Sequence, residues 1–253
     1  MGIFECVCVA LIALTLLSMM RSRPALPLLR DYLLLAVAAW LGEQSCIVLY
    51  GFYHYAPGWH VRVGHVPILV PLIWPLVVLS ACDVARALWP RLSAPALALL
   101  AATLVGLDAS LVEVVAVRAG LWAWAEPGHL GVPVIGILGW AYFAVGAAWV
   151  LMRLPGAWRV ALLAVGPLCA HVLIQVTWWG LFRWTVRGDL GMRSLAAVVV
   201  LGVASLGTVV MLRLRGRTMP LAIAGPRALA ALLFVILLLA TDPTSVPLWV
   251  HAT

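Results

Sequence analysis

Charged residues are scarce in this chain of 253 residues: they make up 10% of it, and lysine does not occur at all. Nine carboxylates and sixteen arginines give a net charge of +7, against 65% hydrophobic residues and a mean hydropathy of +1.12. A water-soluble fold of this size needs far more polar surface, so a soluble protein is excluded. The sequence therefore predicts an integral membrane protein in contact with the lipid bilayer.

The motifs of several enzyme classes are missing as well. The sequence contains no phosphate-binding glycine loop, zinc-ligand pattern, serine nucleophile elbow or acidic cluster for pyrophosphate. The five cysteines lie mostly in apolar runs without a CxxC pair, so we interpret them as small packing residues. The arginines form no continuous basic face. We expect no cofactor, no metal and no nucleic-acid partner.

Eight apolar runs are long enough, at about 20 residues each, to cross the hydrocarbon core as helices. They lie near residues 2–20, 31–51, 66–87, 95–117, 133–151, 158–181, 194–212 and 226–241. Seven spans are the alternative count. We predict an all-α fold, a polytopic transmembrane helical bundle, which forms a single integral membrane domain over residues 1–253.

The arginines also predict how the bundle is oriented. With eight spans, eleven arginines lie in the loops on one side of the membrane and five in those on the other. The larger set includes Arg227, at the predicted start of the last span. Because loops rich in arginine stay in the cytoplasm, both termini are predicted to lie outside. We expect a multi-pass protein of a prokaryotic plasma membrane.

Few ionisable side chains lie within the predicted spans, where each costs roughly 3 kcal/mol or more unless it is paired, neutral or functional. Glu43, Asp108 and His171 lie thirteen residues beyond Arg30, Pro95 and Trp158, which are near the predicted cytoplasmic starts of their spans; thirteen residues correspond to roughly 20 Å of helix. We predict that these three residues share one level, with Glu113 nearer the outer mouth. The four are our candidate catalytic residues. The alternative is that each makes only a structural polar contact.

Two aromatic segments flank the same level. One covers residues 50–60 and the other residues 122–129, and both are rich in aromatic side chains. Tryptophan and tyrosine favour the membrane interface, so an aromatic belt is one interpretation. The other is that their ring faces line a site for a long apolar or cationic molecule.

Prolines are regularly spaced in the third predicted span. Pro67, Pro71 and Pro75 recur every fourth residue, which puts their missing N–H groups on one helical face. This spacing predicts a kinked or partly unwound helix. Asp83 and Arg86, near the end of the same span, have the spacing of a local ion pair.

Two blocks of sequence resemble the membrane-bound carotenoid biosynthesis proteins that include hydratases of acyclic carotenoid ends. The first block begins at Glu43 and continues through residues 50–55 to residues 66–74. The second begins at Glu113 and continues through Gly120-Leu121-Trp122 to Gly131-Val132-Pro133 and Gly139-Trp140. The order and spacing of these motifs are similar to the family over about residues 37–143. The resemblance implies an enzyme that acts on a hydrophobic isoprenoid without a redox cofactor.

The activity that this resemblance implies is addition of water across a terminal carotenoid double bond. An acid must first protonate the alkene to a tertiary cation, and Glu43 is the candidate. Asp108 or Glu113 is then expected to orient the water and accept its proton. Aromatic and polar side chains are expected to bind the substrate and stabilise the cation. The candidate substrate-binding residues are Tyr50, Tyr53, Trp74, Trp122, Trp124, Trp140 and Gln175.

Two other functions stay open at this point. If a neighbouring double bond captures the cation, the same acid produces a ring, as in membrane-bound terpene and lycopene cyclases. A proton-coupled transporter is the non-enzymatic alternative, with Glu43, Asp108 and His171 as a relay. We recognise no internal repeat in the sequence, which counts against the transporter.

Overall fold

The computed structural model describes residues 2–126, 128, 130–182 and 221–241. Within these ranges, seven helices are long and apolar enough to cross a membrane, so the predicted all-α bundle is confirmed. We label the helices α1 (Gly2–Met20), α2 (Ala25–Tyr50), α3 (Leu69–Leu88), α4 (Ala94–Arg118), α5 (Val134–Arg153), α6 (Leu162–Leu173) and α7 (Leu221–Thr241). A 3₁₀ turn, Gly156–Ala161, precedes α6, and a π-helical segment, Ile174–Phe182, extends it. The membrane-spanning length of this element, Gly156–Gly180, includes the 3₁₀ turn, α6 and most of the π-helical segment. The predicted span 194–212 lies outside the described residues.

Helix α2 begins six residues before its predicted start, and a buried ion-pair network explains the difference. The span was predicted to start near Arg30, but Arg30 and Asp31 lie inside α2 and Asp31 is buried. Arg30 donates to its Oδ1 at 2.9 and 3.1 Å, and Arg159 of the 3₁₀ turn donates to its Oδ2. Because these guanidinium groups compensate the carboxylate, the helix continues through two charged residues.

The prolines of the third span are arranged differently from the prediction. Pro67 lies in a short strand before α3, so the expectation that three prolines share one helical face is wrong. Pro71 lies in the first turn of α3, where backbone N–H groups have no partner within the helix. Only Pro75 lies in the helix interior. The expected ion pair of Asp83 and Arg86 is confirmed, at 4.0 Å, and Arg23 also donates to Asp83.

Four short strands lie at one end of the bundle, which we call the strand end. Strand β1 (Tyr53–Tyr55) follows α2 and pairs antiparallel with β4 (Trp122–Trp124), which follows α4. Strand β2 (Arg62–Val63) pairs with β3 (Val66–Pro67). Gly51 and Gly120, with φ of 61° and 66°, turn the chain out of α2 and α4 in the left-handed region that glycine adopts at low cost.

The described helices pack around a cavity. Helix α2 packs on α3 and α6, α4 packs on α3 and α5, and α7 packs on α1 and α4. The contact of α5 with α6 is close at Gly146, because a Cβ there would lie 2.7 Å from the carbonyl oxygen of Val165. Small residues allow such close helix crossings in membranes. Many large apolar side chains of α1 and α7 are exposed, as expected for helices that face lipid.

The substitution Asp31→Asn tests the ion-pair network at the end of the bundle opposite the strands. Asn keeps one acceptor oxygen but removes the negative charge that the two arginines share, so we expect the free energy of unfolding to fall by about 1–3 kcal/mol. Thermal unfolding in detergent measures the effect. Arg30→Gln is the matched control and should cost less, because Arg159 still contacts Asp31. Equal melting temperatures for Asp31→Asn and wild type contradict the network's role.

Candidate active site

Glu43 of α2 accepts three hydrogen bonds from uncharged donors. The indole Nε1 of Trp74, on α3, donates to Oε1 at 2.9 Å, and the hydroxyl of Tyr55 donates to Oε2 at 2.9 Å. The hydroxyl of Tyr53 also donates to Oε2. Burial, and then the nearby Glu43 carboxyl, raise the pKa of both tyrosines in β1 well above its ordinary value, so they stay protonated donors. Tyr55 was not among the predicted site residues.

Glu113 of α4 is held in the same manner and is only 3% exposed. Trp122 and Trp124 of β4 donate their Nε1 hydrogens to Oε2 at 2.9 and 3.0 Å. Trp140 of α5 donates to Oε1 at 2.7 Å. Among the described residues, neither this carboxyl nor Glu43 forms an ion pair. Neutral donors therefore provide the only hydrogen bonds recorded for these two carboxyls in the described part of the chain.

These two groups, which we call the Glu43 cage and the Glu113 cage, are built from a repeated unit. Each unit has an acid near the end of a helix, two donors on the following strand, a Val-Pro pair and a tryptophan on the next helix. The corresponding residues are Glu43, Tyr53, Tyr55, Val66, Pro67 and Trp74 in the first unit and Glu113, Trp122, Trp124, Val132, Pro133 and Trp140 in the second. In both units the tryptophan follows the valine by eight residues.

The repeat corrects the expectation that the chain has none. It was missed because the units share spacing and donor chemistry, with few identical residues: Tyr-His-Tyr in β1 corresponds to Trp-Ala-Trp in β4. Both acid-bearing helices end at the strand end, so the two units run in the same direction across the bundle. This is not the inverted repeat of many secondary transporters.

Aromatic contacts join the two cages. In the strand pair, Tyr53 lies opposite Trp124, and their ring centroids are 4.8 Å apart. The donors from the helices also meet, because Trp74 and Trp140 stack with centroids 4.3 Å apart and an interplanar angle of 29°. One indole of this stack is bonded to each carboxyl. The cages therefore form one continuous aromatic assembly.

The acids that lie at the same height in the bundle are not the ones predicted. Glu43 lies eighteen residues beyond the start of α2 and Glu113 nineteen residues beyond the start of α4, so these two are at matching heights. Asp108 lies about 8 Å closer to the opposite end than Glu113, at 1.5 Å per residue. The predicted common level of Glu43 and Asp108 is wrong because α2 begins earlier than its charged residues suggested.

Asp108 has a cationic partner that the sequence analysis placed elsewhere. Nη2 of Arg227, on α7, donates to Oδ1 at 2.5 Å and to Oδ2 at 2.7 Å. Nη1 of the same arginine donates to Oγ of Ser80, on α3, at 3.0 Å. Arg227 was expected at a helix end, yet it lies six residues inside α7. The apolar residues on both sides of Arg227, 219–226 and 228–240, could have indicated from the sequence that it lies inside a span.

His171 belongs to a separate polar cluster between α2 and α6. Its Nε2 lies 2.8 Å from Oγ of Ser45, and its Nδ1 lies 2.8 Å from the hydroxyl of Tyr50. Gln175, in the π-helical segment, donates to the same hydroxyl at 3.2 Å. His171, Tyr50 and Gln175 are thus together, but they do not line the cavity that contains the carboxyls.

That cavity has a volume of about 550 Å³ and a mostly apolar wall. Both cages line it, and Ser80, Asp108 and Arg227 line it as well. The volume lies in the range of small-molecule sites, and the apolar wall suits a hydrophobic ligand. Among the described residues, no cluster of three or more His, Cys, Asp or Glu side chains forms a metal site. The arrangement therefore offers acid and base groups in an apolar pocket.

Comparison with protein-family models adds the biological context. Residues 1–205 match the model described as carotenoid biosynthesis protein. Comparisons with curated proteins and with solved structures give no match. The match covers most of the chain, including both cages and every predicted site residue. On this evidence the chain belongs to the carotenoid biosynthesis protein family and has a role in carotenoid metabolism.

Proposed function

We propose that the protein is a membrane enzyme that adds water across a terminal double bond of a carotenoid. Glu43 supplies the proton that starts the reaction, and Glu113 accepts the proton that the attacking water loses. One observation carries this proposal: two carboxyls with only uncharged partners among the described residues line a single apolar cavity. Groups of this kind within a membrane are costly and are by default functional.

The donors around Glu43 suit a residue that gives up and regains a proton. A phenol hydroxyl both donates and accepts hydrogen bonds, so Tyr53 and Tyr55 can bond either to a carboxylic acid or to a carboxylate. They can also pass a proton to the carboxyl through their hydroxyls. Glu43 is partly exposed and lines the cavity, which gives a substrate access to it.

The donors around Glu113 suit a carboxylate. An indole N–H donates and never accepts, and an ionised carboxyl accepts and never donates. Three indoles therefore satisfy Glu113 as an anion, the form that can take a proton from water. The two cages share one framework but differ in donor chemistry, and this difference supports the assignment of acid and base.

The proposed reaction conserves atoms and charge. Glu43 gives its proton to the less substituted alkene carbon, which leaves a tertiary cation next to the aromatic rings of the cages. Water adds its oxygen to the cation and loses a proton to Glu113. The product is a tertiary alcohol, heavier than the substrate by one water. The cycle closes when a proton passes from Glu113 back to Glu43.

Cyclisation is the second candidate, and the mostly apolar wall of the cavity favours it. In that reaction a neighbouring double bond captures the same cation, and the product has the mass of the substrate. A proton-coupled transporter receives less support. Its relay needs contact among Glu43, Asp108 and His171, whereas each of these three residues has its own set of partners.

Glu43→Gln and Glu113→Gln test the proposed acid and base. Each amide keeps the size of the side chain but cannot exchange a proton, so we expect hydration to fall at least about 100-fold. The measurement is carotenoid mass profiling in a host that accumulates acyclic carotenoids. Glu5→Gln is the matched control, since Glu5 contacts His60 outside the cavity and its loss should leave turnover unchanged. Undiminished hydration by Glu43→Gln removes this residue from the mechanism.

Gly136→Ala tests the position of Trp124 in the Glu113 cage. A Cβ at residue 136 would lie 2.6 Å from Cζ2 of Trp124, so the indole must shift from the position in which it donates to Glu113. We expect at least a tenfold loss of hydration, because a displaced donor leaves the carboxylate under-bonded. Gly106→Ala, on α4, is the control, since its added Cβ would make an ordinary contact at 3.5 Å with Cβ of Ala141 and Gly106 does not line the cavity. Equal activity of the two variants contradicts the role of Trp124.

A further inference from the structure

The ion pair of Asp108 and Arg227 lies in the wall of the cavity that contains the two cages. Its side chains are 31% and 26% exposed, and both residues line the cavity. Both residues belong to helices that are long and apolar enough to span the membrane. The cavity therefore has a second polar region, formed by Ser80, Asp108 and Arg227, at a different height from the carboxyls of the cages.

This second region has hydrogen-bonding capacity beyond its internal contacts. A guanidinium group carries five N–H donors in a fixed plane, and a carboxylate accepts about four hydrogen bonds. Within this group, two nitrogens of Arg227 contact Asp108 and Ser80. Partly exposed charges in an apolar cavity are stabilised when polar molecules bond to their remaining donors and acceptors. Water is the polar molecule small enough to share the pocket with a carotenoid.

We propose that Ser80, Asp108 and Arg227 form a water-binding site that supplies the water consumed in hydration. This inference rests on the proposed function. The reacting end of the carotenoid fills the aromatic cages, and water held at the ion pair reaches the cation from the same cavity. The ion pair binds the second substrate, and the proton transfers remain with Glu43 and Glu113.

The site also determines which product forms. A tertiary cation in an apolar pocket is captured by whatever nucleophile is present. Water gives the alcohol. Without water, the cation either forms a ring or loses a proton and becomes an alkene again. If the ion pair supplies that water, its removal changes the product without removing the acid. Such a change of product does not follow from a purely structural role of the ion pair.

The test compares a dry and a wet replacement of the ion pair. The dry variant, Asp108→Leu with Arg227→Met, removes both charges together and leaves neither one unpaired. The wet variant, Asp108→Asn with Arg227→Gln, also removes both charges but keeps groups that hydrogen-bond water. In carotenoid-accumulating cells, the measurement is the ratio of the hydrated product to all products without added water, normalised to protein level.

We expect the dry variant to lower this ratio at least about tenfold while substrate is still consumed, and the wet variant to keep it within about threefold of wild type. A dry variant with the wild-type ratio overturns the proposal. Equal ratios in the dry and wet variants do so as well.

If the dry variant does not accumulate, Ser80→Ala provides the second measurement. It removes the hydroxyl that accepts from Arg227 and donates to the carbonyl oxygen of Val77, and it leaves the ion pair intact. Because the site loses one acceptor, we expect the product ratio to fall at least about twofold. An unchanged ratio in Ser80→Ala overturns the proposal in that case. If wild type itself forms no hydrated product, the proposed function fails first, and this result is distinct from every outcome for the variants.

Discussion

Six hydrogen bonds from uncharged side chains hold Glu43 and Glu113 in the bundle, and much of the described architecture serves to deliver them. A carboxyl within a membrane needs partners, since isolated charge is costly there. Two donors for each acid come from a strand and one from the next helix. The glycine turns, the β1–β4 pair and the stacked indoles of Trp74 and Trp140 bring those donors to the acids.

The two cages use one backbone arrangement for different chemistry. Each has an acid, two strand donors and one helix donor, at nearly equal spacings along the chain. Phenol hydroxyls dominate around Glu43, and indoles surround Glu113. Because phenols donate and accept whereas indoles only donate, the same geometry suits a proton donor in one cage and a carboxylate in the other. A repeated unit has thereby acquired two separate roles in the proposed reaction.

In the proposed mechanism, the presence of water decides between hydration and cyclisation. The acid has the same role in both reactions. Both reactions begin with one proton transfer to an alkene and diverge in what captures the cation. The mostly apolar wall favours exclusion of water, and the ion pair of Asp108 and Arg227 favours its retention. In such a pocket, changes to a few polar side chains far from the acid redirect the product. A proton-donating glutamate alone therefore does not decide between hydration and cyclisation.

The sequence by itself determined the class of fold and most of the helix positions. It also singled out Glu43, Glu113 and five of the six side chains that donate to them, although as candidate substrate-binding residues and not as donors to the acids. Apolar length and the cost of buried charge are local properties, which a single chain displays directly. Only the tertiary structure decided which polar residues meet. Arg159 allows α2 to begin early, Arg227 pairs with Asp108, and His171 bonds to Ser45 outside the cavity. These contacts join residues more than a hundred positions apart. Helix packing brings the residues together, and spacing along one chain does not encode that packing.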